Sequence, residues 1–268
     1  DGAHPVILLG VRSDLADTQL HLPAPKPGFD GYAISIAPGR IVLAGDNPRG
    51  VLYAVYDLLE RAGCRWWHPA LDPNDPEVVP KRSELRFAPG PVSESGRVEL
   101  RVYNGSAFFN EIDGAAILPQ IDWAAKNRFN CVSWQASARP EGGPRRGMEQ
   151  MRDCGALDAL DDRGLWLHGP CHSFPFFLPT ERYFDAHPEW FGLCNGKRES
   201  HGGTTWPLVN YCWSNDEANA EFIRNVEAYL KEWPQIKILN PVWIDGGIVC
   251  QCPKCAARGG ANLLIDLF

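Results

Sequence analysis

From about residue 98 onward, the chain alternates between stretches of strand character and stretches of helix character. This alternation limits the possible folds more than any other feature. Short apolar runs bounded by turn residues indicate buried strands, and apolar residues at helical spacing indicate helices. The predicted order is strand 98–103, helix 115–129, strand 131–135, helix 148–162, strand 165–169, helix 215–233 and strand 236–245. Such an order predicts a parallel sheet with right-handed crossovers.

The number of these units predicts only part of a barrel. About four strand–helix units are present, whereas a complete (β/α)8 barrel of the TIM type needs about 250 residues. We therefore predict an α/β protein in which a small α/β domain at residues 1–90 precedes the first half of a (β/α) TIM-type barrel at residues 91–268. On this reading we expect the sequence to be truncated within the barrel.

The N-terminal region carries strand, turn and cap signals of its own. Residues 5–11 are a short apolar strand, and residues 31–45 read as a hairpin that turns at Pro38-Gly39. Asn47 can cap a helix at about 49–62. Residues 69–97 are rich in Pro, Asp, Glu and Ser and are predicted to be a linker with one short strand at 85–87.

The stretch 241–255, PVWIDGGIVCQCPKC, combines a carboxylate with a thiol cluster. It reads as a buried strand that ends in Asp245, and barrel enzymes keep their chemistry at the carboxyl ends of their strands. The C-x-C-x-x-C motif of Cys250, Cys252 and Cys255 follows.

Three interpretations of this cysteine motif are open. A structural zinc site needs four ligands, and Cys212, at the start of the helix before the last strand, is the candidate for the fourth. The alternatives are a disulfide with free thiols, which suits an exported protein, and a ligand set completed beyond Phe268. The nine cysteines cannot all pair within the chain because their number is odd. The helix after Cys212 is expected to begin with a capping box formed by Ser214 and Glu217.

Composition excludes several classes of function. A net charge of −7 and no basic stripe argue against nucleic-acid binding. The sequence contains no apolar run of about 18 residues, so no membrane span is predicted. It also contains no phosphate-binding glycine-rich loop, nucleophile elbow or HExxH motif. Ten tryptophans are compatible with stacking on sugar rings, although core packing explains any single Trp as well.

Two stretches resemble known families. The segments GYAISI and GVLYAVYDLLERAGCRWWHP resemble the non-catalytic N-terminal domain of bacterial α-glucuronidases and β-hexosaminidases. HPEWFGLCNGKR, NYCWSNDEA and DGGIVCQCPKC resemble a bacterial domain of unknown function, number 4838, which sits behind that same N-terminal domain. This resemblance implies a carbohydrate substrate. The opening residues DGAHP read as a cut or mature start, from which we expect a bacterial protein exported to the periplasm or beyond, its signal peptide absent from this chain.

A further resemblance concerns the mechanism. RGLWLHGPCHSF and WAAKNRFNCVSW are similar to barrel segments of β-hexosaminidases, which place an Asp-Glu pair after strand four. Here the matching position holds Asp245 followed by Gly246, so the general acid of that pair is missing. A second carboxylate would have to come from elsewhere, with Glu189 as an outside candidate.

The candidate site residues follow from these placements. Asp245 is the catalytic or substrate-orienting candidate, although Asp-Gly is also a turn signal. Proposed substrate contacts are His172 after the third strand, the fork of Arg101, and Trp134 and Trp243 at strand ends. Each has a structural alternative: His172 as a loop residue, Arg101 paired with an acid, and the tryptophans in the core. His168 is expected to be a packed residue, and His187 to fix loop shape.

Three functions remain in competition at this stage. The first is a glycoside hydrolase that uses carboxylates at the strand ends. The second is a glycan-binding protein that keeps the fold without the acid. The third is a metal-stabilised interaction module built on the cysteine cluster.

Overall fold

The computed structural model describes residues 5–16, 22–69, 77–105, 113–134, 143–170, 172–199, 210–240, 247–259 and 262. Within these ranges the elements are β1 (Val6–Val11), β2 (Phe29–Ala37), β3 (Arg40–Gly45), α1 (Pro48–Arg61), β4 (Gly90–Gly96), β5 (Val102–Tyr103), α2 (Gly114–Lys126), β6 (Cys131–Ser133), α3 (Gly143–Asp153), α4 (Ala156–Asp162), β7 (Trp166–His168), α5 (Phe174–Phe177), α6 (Thr180–Tyr183), α7 (Asp216–Glu232), β8 (Ile236–Ile238) and α8 (Pro253–Arg258).

The first sheet has the strand order β1-β3-β2-β4. Its centre is the predicted hairpin: β2 and β3 pair antiparallel up to Ala37↔Arg40, and Gly39 takes the positive φ of 71° that this turn requires. β1 pairs with β3 in parallel, and α1 covers the sheet with a face that includes Tyr53, Ala54 and Leu58. The predicted cap of α1 is confirmed, because Asn47 accepts a hydrogen bond from the Gly50 N–H at 2.9 Å.

The strand β4 corrects the prediction for this region. Residues 69–97 were expected to be a linker with a strand at 85–87, but residues 85–87 are irregular and Gly90–Gly96 pair with β2 instead. The sequence GPVSESG contains one usual strand former, Val92, and its proline is tolerated because β4 lies at an edge of the sheet. Pairing with the strongly apolar β2 stabilises a strand that has weak propensity of its own.

The second sheet has the order β5-β6-β7-β8, so neighbours in the chain are neighbours in the sheet. β5 pairs with β6 in parallel, and β7 pairs with β8 in parallel. The predicted alternation of strand and helix is thus confirmed, and the architecture is mixed α/β. The predicted helix at 148–162 is two helices, α3 and α4, separated at Gly155, whose φ is 79°.

The chain divides into two compact units. The first comprises residues 1–103, 114–132 and 155–166, and the second comprises residues 104–113, 133–154 and 167–268. In the second unit α5 packs on α7 through an aromatic cluster formed by Phe174, Phe177, Phe222, Tyr229 and Tyr211. Burial of each such ring stabilises the fold by about 1.5–3 kcal/mol. The domain boundary predicted near residue 90 stays a prediction.

None of the helices that the structure describes is both long enough and apolar enough to cross a bilayer.

Candidate metal centre

Four buried cysteines of the second unit converge on one point. Cys212 precedes α7, Cys250 and Cys252 precede α8, and Cys255 lies in the first turn of α8. The Cys212 Sγ lies 3.5 Å from the Cys250 Sγ, 3.7 Å from the Cys252 Sγ and 3.8 Å from the Cys255 Sγ. All four sulfur atoms lie within 4.8 Å of one another. These four cysteines are the ones that the sequence offered as candidate ligands.

Backbone hydrogen bonds hold the two cysteine-bearing segments together. The Asn210 N–H donates to the Ile248 carbonyl at 3.1 Å, two residues from Cys212 on one side and from Cys250 on the other. The loop around residues 190–198 contacts both segments. The Cys212 N–H donates to the Trp190 carbonyl at 2.7 Å, and the Gln251 N–H donates to the Leu193 carbonyl at 2.8 Å. The sulfur atoms are therefore placed by the backbone and not by chance side-chain contact.

The short helix α8 sets the spacing of the last two cysteines. Cys252 is its N-cap, Pro253 occupies the first turn, and the Cys255 N–H points at the Cys252 Sγ at 3.5 Å. Proline suits the first helical position because its missing N–H would have no intrahelical partner there. A C-P-x-C turn thus presents two sulfurs in the same direction.

Polar groups surround the sulfurs. The Ser214 Oγ lies 3.1 Å from the Cys255 Sγ and 3.4 Å from the sulfurs of both Cys212 and Cys252. The Leu193 N–H donates to the Cys250 Sγ at 3.2 Å. The guanidinium of Arg198 donates to the Phe191 carbonyl, and it lies close enough to Cys212 for its positive charge to act on the cluster. Such donors stabilise negative charge on sulfur.

The ionisation of the four thiols is coupled. A hydrogen bond from Cys250 lowers the pKa of Cys212. The same bond, together with burial, raises the pKa of Cys250, and burial raises the pKa of Cys255. Burial also opposes ionisation of Cys252, but hydrogen bonds from Ser214 and from the Cys255 N–H outweigh it and lower the pKa of Cys252. Four neighbouring thiolates repel one another unless a cation lies among them.

Each distance can be compared with what a bond or a bound ion would require. A disulfide joins two sulfurs at about 2.05 Å, and the eight cysteines that the structure describes are all free thiols. A tetrahedral ion with metal–sulfur bonds of about 2.3 Å separates its ligand sulfurs by about 3.8 Å. The separations of 3.5, 3.7 and 3.8 Å match the second arrangement.

Two predicted site residues lie outside the described residues. They are Asp245 and Trp243, which belong to residues 241–246. The roles predicted for them remain predictions.

Arg101 and Trp134 are described, one in each unit. Arg101 donates to the Asp30 carboxylate at 2.6 Å, to the Arg128 carbonyl at 2.8 Å and to the Val98 carbonyl at 2.7 Å, so the alternative in which it pairs with an acid is the arrangement observed. Trp134 is completely buried directly after β6, and its backbone N–H donates to the His168 carbonyl at 2.7 Å. Their substrate-binding roles stay predictions.

His172 is half-buried and takes a left-handed backbone conformation, with φ of 51°, four residues after the end of β7. Its predicted contact with substrate stays a prediction. His187 stacks on Trp190 with ring centroids 4.0 Å apart, and its Nδ1 lies 3.2 Å from a Glu189 carboxylate oxygen, as expected of residues that fix a loop.

A polar pair at the strand ends was missed by sequence reasoning. The His168 Nδ1 lies 3.1 Å from the Ser133 Oγ, and these residues end β7 and β6. Burial lowers the pKa of His168 and so favours its neutral form. The available signal was that both strand patterns, CVS and WLH, finish on a polar residue at the edge where parallel sheets carry their sites.

Comparison with protein families gives one match. The family described as "Domain of unknown function (DUF4838)" matches residues 76–262. No curated protein matches the chain.

Solved structures with a similar fold cover nearly the whole chain. A β-N-acetylhexosaminidase from Bacteroides fragilis NCTC 9343 superposes with a TM-score of 0.52 at 17% identity, over 92% of this chain and 49% of its own. A family GH115 4-O-methyl-α-glucuronidase, BtGH115A, with specificity for decorated arabinogalactans, superposes with a TM-score of 0.60 at 15% identity, over 97% of this chain and 34% of its own. The protein CpGH84B gives 0.53 at 11% identity, over 96% of this chain and 37% of its own. The chain thus spans at most about half the length of these proteins, and the likeness is one of fold.

Proposed function

The chain belongs to the DUF4838 family, and on that premise we propose that it is a carbohydrate-active protein, a glycoside hydrolase whose site lies at the carboxyl ends of the strands of a TIM-type barrel. The observation that carries this proposal is the fold likeness to a β-N-acetylhexosaminidase and a 4-O-methyl-α-glucuronidase across more than nine-tenths of the chain. The order β5-β6-β7-β8, in which β5–β6 and β7–β8 pair in parallel, supports it, since successive parallel strands are how a barrel begins.

In the proposed chemistry, carboxylates act on the glycosidic bond, and polar and aromatic side chains contact the substrate. Asp245 protonates the leaving oxygen or orients the substrate, and a second carboxylate acts as nucleophile or base unless the acetamide of the substrate does so. His172 and Trp243 are the proposed substrate contacts. The neutral His168 and its neighbour Ser133, which end adjacent strands, add hydrogen-bonding groups for sugar hydroxyls. A protein acting on extracellular polysaccharides would be exported.

Aryl glycosides test this proposal directly. We expect turnover of 4-nitrophenyl N-acetyl-β-glucosaminide or of an aryl α-glucuronide, and a loss of at least about a thousandfold in kcat/KM for Asp245→Asn if Asp245 is the general acid or orients the acetamide. The exposed Asp185 supplies the control, since Asp185→Asn should retain full activity. Turnover that is unaffected by Asp245→Asn would remove Asp245 from the mechanism.

A glycan-binding protein without turnover is the second candidate. It is favoured by one observation: Gly246 follows Asp245 where the similar hexosaminidase motif has a glutamate. Calorimetric titration with N-acetylglucosamine oligosaccharides and with glucuronic acid separates the two functions. Binding without hydrolysis of any aryl glycoside supports the binder, and the absence of both binding and hydrolysis contradicts both proposals.

A further inference from the structure

We propose that Cys212, Cys250, Cys252 and Cys255 bind one structural zinc ion, which joins the start of α7 to the segment that enters α8. The proposal is independent of the proposed carbohydrate function, because it concerns a separate group of residues and is tested by metal content. It rests on the convergence of the sulfurs, on their separations, and on the charge that surrounds them.

The number of ions follows from the size of the cluster. All four sulfurs lie within 4.8 Å of one another, so a single ion placed among them can reach every ligand. The three measured separations from the Cys212 Sγ, 3.5 to 3.8 Å, agree with the edge of about 3.8 Å of a tetrahedron with zinc–sulfur bonds of about 2.3 Å. A larger cluster of several metals and bridging atoms would need ligands placed farther apart.

The type of ion follows from the ligands. Four thiolates in tetrahedral arrangement select zinc or iron among the common metals, and zinc carries no redox chemistry of its own. Because all four positions are filled by protein sulfur, the ion has no open position for water or substrate. Such closed sites stabilise a fold and do not catalyse.

The surroundings suit the charge of such a centre. A zinc ion with four thiolates carries a net charge of −2, which would be costly to bury without nearby donors. Arg198 provides a positive charge near Cys212, and the Leu193 N–H donates to the Cys250 Sγ. The Ser214 hydroxyl lies 3.4 Å from the sulfurs of Cys212 and Cys252, to either of which it can donate. Within the part of the chain that the structure describes, Cys64, Cys131, Cys154 and Cys194 belong to no such group.

The proposed ion explains how three segments are held at one place. The loop at 190–198 contacts both cysteine-bearing segments through backbone hydrogen bonds, and neither segment is part of a long element at that point. Through its coordination bonds, a bound ion would link Cys212 to the three cysteines that lie 38 or more residues later in the chain. Groups that contact the ligands of an ion, as Arg198 and Ser214 would, orient those ligands, and their removal typically lowers metal affinity by roughly 10- to 100-fold.

Metal analysis of the purified protein is the first test. Inductively coupled plasma mass spectrometry should find about one zinc ion per chain, and Cys252→Ser and Cys255→Ser should each lower the zinc content at least about tenfold. Cys154→Ser is the matched control, because Cys154 is half-buried outside the cluster and should leave the zinc content unchanged. Zinc that survives both cluster substitutions would overturn the proposal.

A second test does not depend on whether the variants fold. The wild-type protein is treated with a chelator and titrated with Co²⁺ alone, and intense visible bands typical of tetrahedral cobalt thiolate should grow until about one equivalent has bound. Zn²⁺ should then abolish these bands.

Arg198→Gln should weaken Zn²⁺ binding by about tenfold, which an unrelated cluster of buried thiols would not show.

Three results would contradict the proposal: no cobalt binding, a disulfide among the four cysteines in the mass spectrum of the alkylated protein, or stoichiometric iron that cycles between two oxidation states.

Discussion

At the scale of single residues, the polar packing of the first unit centres on Asp30. Its carboxylate accepts hydrogen bonds from Arg101 at 2.6 Å, and from Arg49 and Asn47 at 2.9 Å each, and the residue is only 7% exposed. Burial by itself would raise the pKa of Asp30, but the hydrogen bonds from these partners outweigh it and hold the pKa below its usual value. A buried charge of this kind is stable only while its partners are present.

Replacement of Asp30 by asparagine tests this network. We expect Asp30→Asn to lower the free energy of unfolding by about 3 kcal/mol, because two partly buried guanidinium groups lose their counter-charge. Asparagine tolerates the left-handed φ of 50° at this position, so backbone strain does not contribute. Urea unfolding measures the change, with Glu94→Gln, in the exposed pair with Lys26, as the control expected to cost less than about 0.5 kcal/mol.

The loss of folding stability at acid pH should depend on the same carboxylate, that of Asp30. The pKa of Asp30 is lowered in the folded state. Its contribution is therefore complete above the unfolded pKa of about 3.9 and is lost as the pH falls through the lower folded value. If the difference in free energy of unfolding between wild type and Asp30→Asn is the same at about pH 2 as at neutral pH, this account is contradicted.

The folding stability should also depend on pH through His168, whose buried ring resists protonation. Burial lowers the pKa of His168, so below about pH 6.5 the unfolded state takes up a proton that the folded state does not. Stability should decline from about pH 6.5 until the pH passes the folded pKa, and it should be independent of this group above pH of about 6.5. His168→Asn should make the decline between about pH 6.5 and 5 shallower in urea unfolding series. The exposed His68 is the control, and an identical slope for wild type and His168→Asn would contradict the role of burial.

At the scale of elements, the contact of α3 with Trp134 shows how tightly one helix is seated. Gly147 lies in α3, and a Cβ built there would lie 2.3 Å from Cζ2 of the buried Trp134 ring. Such a distance is too short for any side chain, so the ring or the helix would have to move. The helix therefore requires glycine at a position where helix propensity alone disfavours it.

The variant Gly147→Ala reverses the usual expectation for a helix. Alanine normally stabilises a helix by about 1 kcal/mol relative to glycine, but here we expect a loss of about 1–3 kcal/mol from overpacking. Thermal unfolding measures the sign of the change. Glu149→Ala in the same helix is the control and should change stability by less than about 0.5 kcal/mol. Stabilisation by Gly147→Ala would show that the helix is free to shift.

The start of α7 differs from its prediction by one residue, with a consequence for the cysteine cluster. The S-x-x-E pattern favours Ser214 as the cap, but Asn215 takes that position and accepts a hydrogen bond from the Ala218 N–H at 3.0 Å. Asparagine caps a helix as well as serine does. The shift leaves the Ser214 hydroxyl among the sulfurs of Cys212, Cys252 and Cys255.

At the scale of the whole molecule, the two units have different means of stabilisation. The first unit is built around a four-stranded sheet with α1 across it and a buried ion network. In the second unit, the region of residues 188–199 consists of short turns, and it is fixed to residues 210–214 and 247–259 by a few hydrogen bonds and by the cysteine cluster. Removal of the proposed zinc ion should therefore affect one unit locally.

Hydrogen exchange can test that locality. After chelation, the amides of Leu193, Cys212 and Gln251 should exchange at least about tenfold faster, because their acceptors are no longer held in place. The amides of the β2–β3 hairpin should keep their protection. Addition of Zn²⁺ should restore the slow exchange, and uniform loss of protection in both units would contradict a local role.

The sequence by itself determined the features that depend on local pattern. Alternating strand and helix signals predicted the mixed α/β architecture, Pro38-Gly39 predicted the hairpin, and Asn47 predicted the start of α1. The spacing of Cys250, Cys252 and Cys255 predicted that their sulfurs lie close together, since three cysteines within six residues cannot be far apart. Each of these signals is carried by neighbouring residues, and neighbours in the chain remain neighbours in the fold.

Only the tertiary structure decided which distant residues meet. The pairing of β4 with β2, the bond of Arg101 to Asp30, the pair formed by His168 and Ser133, and the position of Arg198 beside Cys212 all join residues far apart in sequence. No local pattern encodes such a partner, because the energy of a long-range contact depends on how all the packed elements are placed together. The fourth cysteine, Cys212, was predicted as a candidate, but its distance from the other three became measurable only in the fold.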